Sequence, residues 1–64
     1  MRHFKELKPI ILNKIKEKGR VCASDFAHYN TATYNNYAKV LLYLTGLRVL
    51  KRQRNGMRVY YSLY

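Results

Sequence analysis

Carboxylates are almost missing from this chain. Its 64 residues carry three acidic side chains, Glu6, Glu17 and Asp25, against 13 lysines and arginines, for a formal charge of +10. Three scattered acids, with His3, His28 and Cys22, do not supply the carboxylate pair, nucleophile with its base, or ligand cluster that catalysis needs, so no enzymatic activity is expected. Cysteine is equally scarce. Cys22 cannot form an internal disulfide, which fits an intracellular protein, and beside Val21 it reads as a small buried residue. Cys22 and His28 do not stand at an established metal-ligand spacing, so no metal or other cofactor is expected. No apolar run approaches the roughly 20 residues of a membrane span, and no signal-peptide pattern opens the chain. Repeats, linkers and low-complexity stretches are lacking too. What remains is one small domain, residues 1–64, with a thin core of the kind that often leans on oligomerisation or a ligand for stability.

What is present is basic, and basic on one side. All three acids lie within the first 25 residues, and from Phe26 onward there are six basic residues and no acidic one. A solvated surface usually mixes both signs, so a one-signed half points to a polyanion. Nucleic acid is favoured over an anionic membrane because no basic amphipathic helix dominates the chain.

The spacing predicts a first helix over about 4–18, with Phe4, Leu7, Ile11 and Ile15 on one face and Lys18-Gly19 as its stop. Pro9 either starts or bends it. Ile10-Ile11-Leu12 wraps apolar surface around more of the helix than one core needs. Either the helix is deeply buried, or a homodimer contact uses Ile10 and Leu12, with Tyr64 contributing. Arg20-Val21-Cys22 suits a brief strand. A second helix is expected over about 24–29, opened by Ser24 as its cap with Asp25 at the positive helix end. Asn30, Thr31 and Ala32 supply turn chemistry. Thr33 is the expected cap of a third helix over about 33–46, whose stripe of Tyr37, Leu41 and Leu44 faces the core. Residues 49–63 carry a hairpin signal, Asn55-Gly56 between two β-prone runs. A turn at those two residues would pair Arg54 with Met57, Arg52 with Val59 and Leu50 with Tyr61. It would put Leu50, Val59, Tyr61 and Leu63 on one face and Lys51, Gln53, Arg58 and Tyr60 on the other.

Phe26-Ala27, the gap to Thr33, and Tyr37, Leu41 and Leu44 resemble the pattern of winged helix-turn-helix transcriptional regulators. Val49-Leu50-Lys51-Arg52 is similar to that family's entry into the wing, and Val59-Tyr60-Tyr61-Ser62-Leu63 to the closing wing strand of ArsR-type repressors. The resemblance covers nearly the whole chain. It implies an α+β winged helix-turn-helix, with three helices, a small antiparallel sheet and a β-hairpin wing. Thr31 and Arg48 stand where that family usually has glycine; Asn30 and Gly46 are the residues expected to take over those backbone roles. The Cys-x-x-Cys or Cys-x-Cys of metal-sensing members is missing, and no small-molecule effector is evident. The small, tyrosine-rich chain also looks like regulators carried by archaeal viruses and plasmids, which would place it in the cytoplasm beside the nucleoid.

On that frame Tyr34, Asn35, Asn36, Ala38 and Lys39 are the candidates for reading bases. Asparagine can bond adenine bidentately, a tyrosine ring can meet a thymine methyl, and Ala38 lets a helix sit deep in the groove. Ser24, His28, Thr33, Lys51, Arg52, Arg54 and Arg58 are the candidates for phosphate contacts. The expected partner is double-stranded DNA, bound sequence-specifically by a homodimer that regulates transcription. Two alternatives stay open, a nucleic-acid binder without sequence preference and a winged helix that contacts protein. An ordinary polar helix face and a merely soluble hairpin are the plain alternatives for the two residue sets.

Overall fold

A computed structural model describes residues 4–64, so His3 lies outside the described residues. Helix α1 spans Phe4–Lys18 and buries Ile11 and Ile15, four apart on one face. It runs through Pro9, which has no N–H to give the Lys5 carbonyl. It stops at Gly19, which takes φ +85° and donates its N–H to the Ile15 carbonyl at 2.6 Å. Leu12 packs against the core, whereas Ile10 is 48% exposed.

The second helix expected over 24–29 is instead one 3₁₀ turn, Ala23–Asp25. Two local contacts compete with a helix here. The Asp25 carboxylate reaches back to accept the Cys22 N–H at 3.0 Å, so Ser24 is not the cap. Thr31 Oγ1 donates to the His28 carbonyl at 2.7 Å and accepts the Tyr34 N–H at 3.1 Å, which makes Thr31, not Thr33, the N-cap of the next helix. Too few residues are left between those contacts to offset the cost of nucleating an α-helix. Asn30 takes φ +65°, the left-handed conformation expected of it.

Helix α2 spans Ala32–Gly46 and buries Tyr37, Val40, Leu41 and Leu44. Its end departs from expectation. Gly46 is still helical, and Arg48 takes the left-handed position at φ +62°. The N–H of Arg48 bonds the Thr45 carbonyl at 3.1 Å and that of Val49 bonds the Leu44 carbonyl at 3.0 Å, which together form a Schellman cap.

Strands β1 (Leu50–Asn55) and β2 (Arg58–Leu63) pair antiparallel, with Asn55 opposite Arg58 and Leu50 opposite Leu63. The turn is therefore Gly56-Met57 rather than Asn55-Gly56. Only its first central residue has positive φ, Gly56 at +64°, the pattern of a type II′ turn. This register spares Asn55 a positive φ. Each residue slides by two positions relative to its expected partner, an even step, so the face assignments survive. Arg52 now lies opposite Tyr61, and Arg54 opposite Val59.

The brief strand expected at residues 20–22 is a single bridge, Val21 to Tyr61. The architecture is thus α+β, with two α-helices and a two-stranded antiparallel sheet. Ile11, Ile15, Val21, Val40, Leu41, Leu44 and Leu50 fill the core, and Phe26 lies flat on Tyr37 at 4.7 Å between ring centroids. Among the described residues no helix is long and apolar enough to cross a membrane.

The cap at Arg48 generates a prediction. A left-handed residue with a Cβ costs roughly 1–2 kcal/mol, part of which glycine returns to the flexible unfolded chain. Arg48→Gly should raise unfolding stability by about 0.5–1 kcal/mol, read as a higher urea midpoint at unchanged m-value. A lower midpoint would mean that the arginine side chain stabilises the fold by more than its backbone costs.

Candidate nucleic-acid interface

The buried stripe of α2 fixes what its other sides present, because successive residues turn by about 100°. Asn35 and Lys39 are exposed and share a ridge pointing away from the core. Tyr34 and Ala38 lie between that ridge and the hairpin. Asn36 falls on the opposite flank, in line with Tyr43, whose ring meets Phe4 of α1 edge-on at 5.0 Å. Of the five residues expected to read bases, Asn36 is the one the helix turns away from the rest.

Between α2, the 3₁₀ turn and the hairpin lies a groove of about 390 Å³. It brings together Ser24, Tyr34, Ala38, Arg52 and Arg58, which the sequence marks separately. It also takes in Tyr29, Met57 and Tyr61, which the sequence reading does not single out as site residues. Tyr29 is 72% exposed and sets its ring edge-on to Tyr34 at 5.2 Å. The sequence puts it at the end of the expected second helix, and only the fold turns it toward α2.

The basic residues divide between the two faces of the hairpin. Arg52 and Arg54 are on the face with Leu50 and Tyr61, while Lys51 and Arg58 share the other with Tyr60. Arg54 Nε donates to the Gly56 carbonyl at 3.3 Å, holding that side chain near the turn. On the outer face the Arg20 guanidinium lies over the Tyr60 ring at 4.2 Å, adding a cation that the sequence places in a brief strand and does not mark as a site residue. His28 and Thr33 are exposed beside the start of α2, and Ser24 Oγ sits 3.3 Å from the sulfur of buried Cys22. Asp25 is occupied elsewhere, 3.9 Å from Lys18 and bonded to the Cys22 N–H.

None of the described His, Cys, Asp and Glu residues gather into a group of three that could hold a metal ion. What the groove and its rims offer is cationic and aromatic. Two guanidiniums and the Lys39 ammonium suit phosphate, and tyrosine rings with small Ala38 suit the edges or methyls of bases.

Tyr61 ties this surface to stability. Burial pushes its hydroxyl above the ordinary value of 10.0, partly opposed by the charge and hydrogen bond of Arg52, with Tyr34 adding to the rise. A raised folded-state value means the folded protein holds that proton more tightly than the unfolded chain. The stabilisation is fully present below pH 10 and is lost as pH climbs through the folded value. In urea titrations from pH 8 to 11, wild type should therefore lose more stability above pH 10 than Tyr61→Phe, which has no proton to lose there. Parallel curves would show that the buried hydroxyl contributes nothing to the alkaline limb.

No family model matches this chain, and neither a curated protein nor a solved structure is significantly similar to it.

Proposed function

We propose that this chain is a winged-helix domain that binds double-stranded DNA and regulates transcription. In this reading the 3₁₀ turn stands in place of the second helix, α2 is the recognition helix, and the hairpin is the wing. The observation that carries it is the one-signed charge: six basic residues and no acid from Phe26 onward, all on α2, the loop after it and the hairpin. A protein-contacting domain has no need of that imbalance. Asn35, Lys39, Tyr34 and Ala38 then enter the major groove, while Arg52, Arg54, Arg58 and Lys51 hold phosphate. A second reading, binding without sequence preference, draws on the small number of base-reading candidates that share the exposed ridge.

Salt and sequence separate the two. Arg54→Ala should weaken all duplexes alike and lower the salt slope by about one unit. Asn35→Ala should cost about 1–3 kcal/mol on a site selected from a random duplex pool and little on unselected DNA. Equal losses on both would leave charge as the whole of the binding, and no binding to any duplex would remove the reading.

The domain is proposed to act as a two-fold dimer, because one small module covers only about half a site. The seam lies along the Ile10 flank of α1, with exposed Tyr64 as a proposed contributor. Leu12 cannot share that seam, since it sits about 200° around the helix from Ile10 and packs against the core. Sedimentation at micromolar concentration should give a dimer that Ile10→Asp dissociates without unfolding it. A wild-type monomer at every concentration would exclude the dimer.

A further inference from the structure

Met57 is the most exposed large apolar residue of the described chain, 99% accessible at the apex of the hairpin. Isolated apolar residues on a surface ordinarily need no explanation. This one differs in its setting. A type II′ turn asks for glycine at its first central position, which Gly56 supplies, and asks nothing apolar of the second. Turn chemistry alone would be served as well by Asn, Ser or Lys. Met57 borders the mouth of the groove but is not among the residues packed on the core, and at 99% exposure its thioether adds little to the fold.

Several cations stand close to it along the ribbon. Arg54 and Arg58 flank the turn, with Arg54 held to the Gly56 carbonyl at 3.3 Å, and Arg52 follows two residues down β1. The nearest acid in sequence is Asp25, which is engaged by Lys18 and Cys22. An apolar tip between cations has the form of a wedge whose sides grip the two phosphate strands bordering a narrow groove. The minor groove is about 6 Å wide, so a two-residue apex can enter it and the ribbon behind it cannot.

We propose that Met57 inserts between two base pairs from the minor-groove side and kinks the duplex. This rests on the reading of the chain as a duplex DNA binder. An unbranched, polarisable side chain suits the task, because it can lie flat against an unstacked base without a fixed rotamer. Inserted apolar side chains of this kind bend DNA by roughly 20–90°. Pyrimidine–purine steps unstack most easily, so TA and CA steps are where the tip settles.

The probe is a duplex of about 30 base pairs with a single central TA step, donor and acceptor dyes on its ends, and 2-aminopurine in place of the adenine of that step. Saturating wild-type protein should raise energy transfer between the ends and brighten the 2-aminopurine. Met57→Ala and Met57→Gln alter a fully exposed side chain and remove no cation, so both should fold and, compared at saturation whatever their affinity, keep the wild-type salt slope. Both should leave energy transfer and 2-aminopurine fluorescence at the free-duplex values, and Met57→Leu should restore the signals. Wild-type binding to a duplex that stays straight would overturn the wedge and leave DNA binding intact. So would Met57→Ala bending the duplex as wild type does, which would make the methionine a contact for something other than bases. Absence of wild-type binding would overturn both readings together.

Discussion

Two backbone hydrogen bonds between Val21 and Tyr61, 2.9 and 2.6 Å long, hold this small molecule in its working shape. A two-stranded ribbon alone is marginal in water, and these bonds add a rung to the packing that Leu50 and Tyr61 give it on the core. With them, the segment leaving α1 is fastened across β2, and the Tyr61 side chain is buried where the groove wall meets the core. The 3₁₀ turn follows directly, so Ser24 faces the hairpin across a short gap. One bridge thus fixes both the packing of the sheet and the walls of the cationic groove.

Much of the scaffold was legible in the residues. The stripe Tyr37, Leu41, Leu44 is long and periodic, and Gly19 and Asn30 stand where the backbone needs a positive φ. The parts that were not legible depend on small energy differences between neighbouring local choices. Whether 24–29 winds into a helix turns on whether Asp25 and Thr31 spend their side chains on nearby backbone groups. The hairpin register turns on whether the positive φ falls on Asn55 as well as Gly56. Both registers keep the same faces, so alternation of apolar and polar residues cannot distinguish them. That ambiguity hid the apex, since the expected register puts Met57 inside a strand.

The candidate site divides along the same line. Its charges could be read from composition, because a half-chain without acids needs no fold to be recognised. Its shape could not. Arg20 and Tyr61 join the surface only through contacts between distant segments, Tyr29 through the turn that sets its ring on Tyr34, and Asn36 leaves it because a helix turns by about 100° between adjacent residues. The same charge works against the isolated fold. With +10 on a 64-residue body, self-repulsion weakens a core that is already thin, and a polyanion, if bound as proposed, would relieve it.

The cap that closes α2 has a mechanical consequence. Leu47, Arg48 and Val49 alone separate the helix from β1, and two of their N–H groups are already committed to the Schellman bonds. A joint that short and that bonded has no slack. The helix ridge and the hairpin tip therefore form the two jaws of a fixed-gauge caliper, whose opening is set by one left-handed arginine. A ligand touched by both jaws at once must present its features at that spacing or deform until it does.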